Sequence, residues 1–263
     1  MTEKFAPDSP DVTIEVVLDS ALMESVPTTD PAPAAPGLTS TPAGPGTPGA
    51  PHGHSREEAS ARSGRREEII DGAAEMFAEH GYHGSSLRDI SSHIGISHSG
   101  MLHHFGSKDA LLDGVIDRME EHAQSALDRI HEMEGDRSAM LRGLAQVWHP
   151  ASLPIRLLAT LDAESVSEEH PGRYRLARLR RVHEHMLETC FLSLAEKGLL
   201  REDTDPAFAG RALLAVVLNL AVREKTVRPL QHQRHDDAPL GDLAKQVEAF
   251  LRTEEPEPTS PRS

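Results

Sequence analysis

Between Ile69 and Leu112 apolar residues recur at helical spacing, and helix stop and start signals cut the run into four pieces. Ile69, Ala73 and Phe77 stand four residues apart, with Ile70 and Ala74 beside them. That places one apolar stripe on a helix over about 64–80. His80-Gly81 ends it, because glycine takes the left-handed conformation that follows a helix without steric cost. Ser86-Leu87-Arg88-Asp89 is a capping box, with Asp in place of Glu, and opens a second, short helix that buries Leu87, Ile90 and Ile94. Gly95 breaks that helix. Ser97 is an N-cap for a third short helix with Met101 and Phe105 inward, and Ser107 caps a fourth, long one. The inner face of the fourth is Leu111, Leu112, Val115, Ile116 and Met119. No strand alternation interrupts the stretch, so the expected class is all-α.

The two short helices joined by Ile94-Gly95-Ile96-Ser97 have helix-turn-helix spacing. A helix that enters a major groove must present small or polar side chains. The outward positions of the third helix are His98, Ser99, Gly100 and His103, with no acid among them. The spacing alone also fits a helical hairpin in a plain bundle. A histidine near pKa 6.5 would strengthen phosphate binding as pH falls. The simpler reading of these rings is a polar helix surface that donates neutral hydrogen bonds.

Charge at first argues the other way, because the 263 residues carry a net −15, which disfavours nonspecific coating of nucleic acid or anionic membranes. The charge is unevenly placed. Residues 1–60 carry −7, residues 61–250 carry −7 and the last 13 carry −1, whereas 80–108 carries +1 before any of its six histidines protonates. Ten of the 19 prolines fall in the first 60 residues, and Pro27–Pro51 has no large apolar residue except Leu38. Residues 1–61 are therefore expected to be a disordered, Pro-rich acidic tail, as are 253–263. Within the first tail, Val12–Leu22 is a short apolar stretch, either transiently ordered or a partner-docking motif. One cysteine, Cys190, excludes an internal disulfide framework and a Cys zinc cluster. No run of about 18 uninterrupted apolar residues predicts a membrane span, and the acidic N-terminus lacks the basic region of a secretory signal.

Several motifs in order carry a family resemblance. They are Arg65-Arg66-Glu67-Glu68-Ile69-Ile70, then Ala74-x-Met76-Phe77 with Gly81-Tyr82, then Ser86-Leu87-Arg88-Asp89-Ile90 and Gly95-Ile96-Ser97. His104-Phe105-x-Ser107-Lys108-x-x-Leu111-Leu112 completes the series. Over roughly 62–116 the chain resembles the DNA-binding domain of the tetracycline-repressor (TetR) family. The resemblance implies an all-α homodimer with a helix-turn-helix domain at 62–108 and a helical effector-binding and dimerisation domain at 109–252, linked by the fourth helix. It also implies the DNA contacts. Lys108, at the N-terminus of the linking helix, would meet a phosphate, aided by the helix amides. Ser86 and Ser97 would cap and approach the backbone, while His98, Ser99 and His103 would face bases. His104 and the arginines Arg65 and Arg66 would lie near phosphates, and Phe105 belongs to the core. One position departs: where the family often has Tyr, this chain has Leu102, so a phosphate-contacting hydroxyl is missing.

Residues 138–252 divide into about five helices. Pro154–Val166 is one. His170-Pro171 opens a long one, with Pro at N1, that runs to Lys197-Gly198; its arginine run reads as a solvated or ion-paired face. Asp205-Pro206 opens a helix apolar nearly all round, which must be buried on most sides. By the resemblance, 207–223 and 239–252 form the homodimer interface. The effector cavity is expected between these helices, with Trp148, His149, Leu158, Leu161, Asp162, Met186, Cys190 and Asn219 as candidate lining residues. His183 and His185, at i, i+2 on a helix, point apart, and His232 with His235 lacks companions at ligand spacing, so no metal or cofactor is expected. No nucleophile–base motif, Gly-rich phosphate loop or paired acids appear, so an enzyme is not expected. The leading expectation is a cytoplasmic, nucleoid-associated, ligand-responsive repressor that binds a near-palindromic double-stranded operator as a homodimer, with an unidentified small-molecule effector and no membrane partner. An activator or dual regulator of the same fold is the near alternative. An all-α binding or interaction protein that has lost DNA binding is the distant one.

Overall fold

The computed structural model describes residues 54–231 and 238–252, with side chains of the first segment from Ser63 onward. The expectations for residues 1–53, with Val12–Leu22 among them, for the 253–263 tail, and for His232 with His235 lie outside the described residues. The described residues form nine α-helices: α1 His54–His80, α2 Leu87–Ile94, α3 His98–His104, α4 Lys108–Leu127, α5 Arg137–Gln146, α6 Leu153–Glu164, α7 Arg173–Glu196, α8 Pro206–Thr226 and α9 Ala238–Phe250. Their β pairing is a single isolated antiparallel bridge, Leu200 with Leu251. The chain is all-α, as the helical spacing predicts.

α1 begins ten residues before the expected start and so takes in 54–61, which composition assigns to the tail. Arg56, Glu57, Glu58 and Ala59 are good helix formers, and two acids near a helix N-terminus are favoured by its dipole. They carry no apolar stripe, so periodicity locates the start only at the first buried residues. Ile69, Ala73 and Phe77 are fully buried on that stripe. They meet Ile90 of α2, Met101 of α3 and Leu111, Val115 and Ile116 of α4, all of them fully buried in one continuous core. Burial of each large aliphatic or aromatic side chain contributes about 1.5–3 kcal/mol.

Gly95 holds φ at +75° between α2 and α3, and no heavy atom lies within 4 Å of where a Cβ would stand. The cost of a side chain there is therefore purely that of the backbone. Gly95→Ala is expected to lower stability by about 1–2 kcal/mol, read in urea unfolding as a lower midpoint with an unchanged slope.

In the second half, α7 packs most extensively on α8, while α6 bridges α1 and α8. α7 starts at Arg173, not at Pro171. His170 Nδ1 accepts the Gly172 amide at 3.2 Å and the His170 carbonyl accepts the Arg173 amide at 3.1 Å; this turn keeps Pro171 outside the helix. α8 does carry Pro206 at its start, with the Asp205 carboxylate accepting the Ala207 and Phe208 amides at 3.3 and 3.1 Å. By length and composition α8 could cross a membrane, but here it is a bundle helix, with Leu213, Leu214 and Val217 fully buried. Its outer stripe of Phe208, Arg211, Ala215, Asn219 and Val222 is exposed. The arginines of α7 are largely ion-paired: Arg175 reaches Asp113, Asp117 and Glu120 of α4 at 3.5, 2.7 and 2.7 Å.

Candidate nucleic-acid interface and ligand cavity

The local chemistry of α2 and α3 sets their ends. Ser86 Oγ accepts the Asp89 amide at 3.2 Å and donates to the Asp89 carboxylate at 2.6 Å, so its hydroxyl proton is held by the cap. Ser97 Oγ accepts the Gly100 amide at 3.0 Å and lies 3.1 Å from Ser99 Oγ. Met101 and Phe105 turn inward and are buried. That leaves His98, Ser99, Leu102 and His103 exposed on one outer face of α3, with His104 half-buried beside them. The His103 and His104 rings meet edge to face at 5.7 Å. Across the domain, Arg66 lies over the Phe105 ring at 4.9 Å and 4.0 Å from Glu67, whereas Arg65 pairs with Glu68 at 2.5 Å. Both arginines are exposed. The side chains expected to face DNA thus lie on α3, at the N-caps of α2 and α3 and at the start of α4, while Arg66 reaches the end of α3 from α1 and Arg65 pairs within α1.

Lys108 is more engaged than a surface contact. Its Nζ donates to the carbonyls of Tyr82 and Ser85 at 3.0 and 3.1 Å and stands 4.0 Å above the Tyr82 ring. An ammonium carries three donors, so one remains beyond these two carbonyls. The Tyr82 hydroxyl donates to Asp109; burial and that carboxylate together raise the phenol's pKa.

The same loop is held from the second half of the fold by two residues that sequence reading missed. The Glu164 carboxylate, at the end of α6, accepts the Tyr82 amide at 2.6 Å and the His83 amide at 3.3 Å. Gly81 makes room for it, since a Cβ there would stand 2.4 Å from Glu164 Oε1. The buried His170 ring packs edge-on against Tyr82 at 5.1 Å and His83 at 5.7 Å. Burial lowers its pKa. No periodic signal marks these partners, which lie more than 80 residues apart in the chain. Glu164→Ala is expected to cost about 1.5 kcal/mol, the low end for a charged acceptor because the carboxylate is half-exposed. Urea unfolding at pH 7 reads it.

A cavity of about 230 Å³ lies between α4, α5, α6 and α7, with Met119, Ala123, Ile155, Leu158 and Leu179 among its apolar walls. Of the eight residues expected to line an effector cavity, Leu158 alone does so. Trp148 stands behind the wall and donates its indole N–H to His183 Nδ1 at 3.2 Å. Leu161, Met186 and Cys190 are packed in the core, and burial pushes the Cys190 thiol up to about 12. His149 Nδ1 accepts the Ala151 amide, Asp162 pairs with Arg180, and Asn219 lies on the exposed stripe of α8. Apolar spacing shows which residues are inside, but it does not separate those that touch one another from those that face a void.

Residues 69–115 match the sequence profile described as "Bacterial regulatory proteins, tetR family". Over 183 residues, 66% of this chain, the protein is 30% identical to the uncharacterized HTH-type transcriptional regulator YezE of Bacillus subtilis (strain 168) and covers 94% of it. It is 40% identical to the HTH-type transcriptional repressor KstR2 of Rhodococcus jostii (strain RHA1) over 60 residues, which is 23% of this chain and 29% of that one. In fold, a TetR-family transcriptional regulator from Agrobacterium tumefaciens aligns with a TM-score of 0.59 at 21% identity, over 73% of this chain and 100% of that one.

Proposed function

Because the chain belongs to the TetR family of helix-turn-helix transcriptional regulators, we propose that it is a ligand-responsive repressor that binds a near-palindromic operator as a homodimer. The observation that carries this reading is the acid-free outer face of α3, with His98, Ser99 and His103 exposed beside Lys108 at the start of α4. Two such helices in a dimer would enter successive major grooves about 34 Å apart. Lys108, Ser97 and His104 would hold the phosphates, and Ser86 serves through its cap, since its hydroxyl is committed to Asp89. Arg65 and Arg66 would add positive charge from α1. The exposed stripe of α8, with Phe208 55% and Val222 49% exposed, supports the dimer.

The effector enters the cavity at α4–α7 and acts through the Glu164 clamp. α6 lines that cavity with Leu158 and ends on the carboxylate that grips the loop between α1 and α2. A ligand that shifts α6 moves the clamp, and it lowers operator affinity only by its differential affinity for the two states. A gel shift with DNA from upstream of the protein's own gene, at about 150 mM salt, tests the reading. A discrete shift resistant to unrelated competitor DNA is expected; competition at equal concentration by unrelated DNA would refute it.

A further inference from the structure

We infer that the cavity between α4, α5, α6 and α7 takes a small apolar molecule carrying a carboxylate, held between Arg129 at its rim and the Nε2–H of His183 in its wall. This rests on the reading of that cavity as the effector site and names the chemistry it selects. Three observations carry it. First, the chain holds 42 Asp and Glu against 27 Lys and Arg, yet no acid lines the cavity, whereas Arg129 does. Arg129 spends its Nε on the Ser125 carbonyl at 3.1 Å. Among the described residues no carboxylate pairs with its terminal nitrogens, which form the fork that matches a carboxylate.

Second, the tautomer of His183 is dictated by its neighbour. An indole N–H only donates, so Nδ1 must accept it, and the proton of the neutral ring sits on Nε2. Burial keeps the ring neutral, its pKa pushed down to about 4. Among the described residues Nε2–H meets no acceptor, and the ring forms part of the cavity lining. An oxygen acceptor on the ligand would satisfy this donor, whereas an ammonium would not. Third, most of the remaining wall is apolar, with Met119, Leu158 and Leu179 on three helices, and its other polar residues, His122, Ser125 and Gln146, are not acids. The volume, about 230 Å³, lies below the lower bound of about 300 Å³ usual for ligand pockets, which limits the occupant to a small molecule.

Octanoate, octanol and octylamine share one alkyl body and differ in the head group, so they isolate the selection. The 263-residue chain carries one tryptophan, Trp148, which is hydrogen-bonded to the cavity histidine and reports occupancy by its emission. Octanoate is expected to bind about tenfold or more tighter than octylamine, with octanol between them. Arg129 is exposed, so its replacement leaves the fold intact; Arg129→Glu is expected to reverse the order and Arg129→Lys to keep it. Octylamine binding as tightly as octanoate, an unchanged order in Arg129→Glu, or no binding of any of the three overturns the proposal. The gel shift separates it from the function it rests on. If octanoate binds in the stated order but leaves the operator complex intact, the ligand class stands and the effector reading fails. If no probe binds while the specific shift persists, the ligand class fails and the DNA reading stands.

Discussion

Replacing Lys108 with Ala is expected to weaken operator binding by tenfold or more and to lower stability by about 2 kcal/mol. The two effects have separate causes. The ammonium binds the Tyr82 and Ser85 carbonyls at 3.0 and 3.1 Å, and hydrogen bonds to a charged group contribute about 1.5–3 kcal/mol each, discounted here because Lys108 is half-exposed. In a protein of this size the loss lowers Tm by about 4–8 °C. If the remaining donor holds a phosphate, as proposed, the slope of binding against log salt should fall by about one per protomer. Lys108→Arg keeps the charge but not a compact ammonium on two carbonyls, so it should retain more of the salt slope than of the stability. A full loss of stability with an unchanged salt slope would make Lys108 a brace of the loop and not a phosphate contact.

Acid should destabilise the protein through one buried ring. His183 is buried beside Trp148, and its pKa is pushed down to about 4 from the ordinary 6.5 by desolvation. The native state therefore resists the proton that the unfolded chain accepts. The stabilisation is complete above about pH 6.5, falls as pH drops below it, and is lost by about pH 4. The separation corresponds to about 3 kcal/mol. His183→Gln keeps an acceptor for the Trp148 indole but does not titrate. The stability of the wild type minus that of His183→Gln should then shrink by about 3 kcal/mol between pH 7 and pH 4 in urea unfolding. His170, whose pKa burial also lowers, is present in both proteins and cancels. Parallel curves for the two proteins would show that His183 is not the group that resists the proton.

The parts of the structure legible in the sequence are those set by local chemistry. Ser86 with Asp89, Gly95, Ser97, Ser107, and Asp205 with Pro206 each fix a helix end through neighbours within a few residues, and each stands where the sequence places it. The spacing of Ile69, Ala73 and Phe77 gives the buried face of α1 for the same reason. Two kinds of feature escape this reading. Helix without an apolar stripe, as at 54–61, leaves no period to detect. Contacts made only by folding leave no local trace: Glu164 reaching the Tyr82 amide, His183 turned to Trp148, and Arg129 at the cavity rim all depend on how α4, α6 and α7 pack. Asn219 shows the converse. A polar residue in an apolar helix reads as a cavity group, but the helix turns it outward with Phe208 and Val222.

The net −15 is no obstacle to DNA binding once its placement is known. The outer face of α3 carries no acid, and the carboxylates that flank it in the sequence are committed, Asp89 to the Ser86 cap and Asp109 to the Tyr82 hydroxyl. Affinity should then reside in a small surface and be lost when that surface is altered. The most direct measurement compares wild type and His103→Ala for binding to the upstream DNA and to a shuffled sequence, by fluorescence anisotropy at about 150 mM salt. His103 is exposed, so its replacement leaves the fold intact. A loss of about tenfold on the upstream DNA with no change on the shuffled one is expected. Equal affinity of the two proteins for the upstream DNA would contradict the assignment of α3 as the helix that reads the operator.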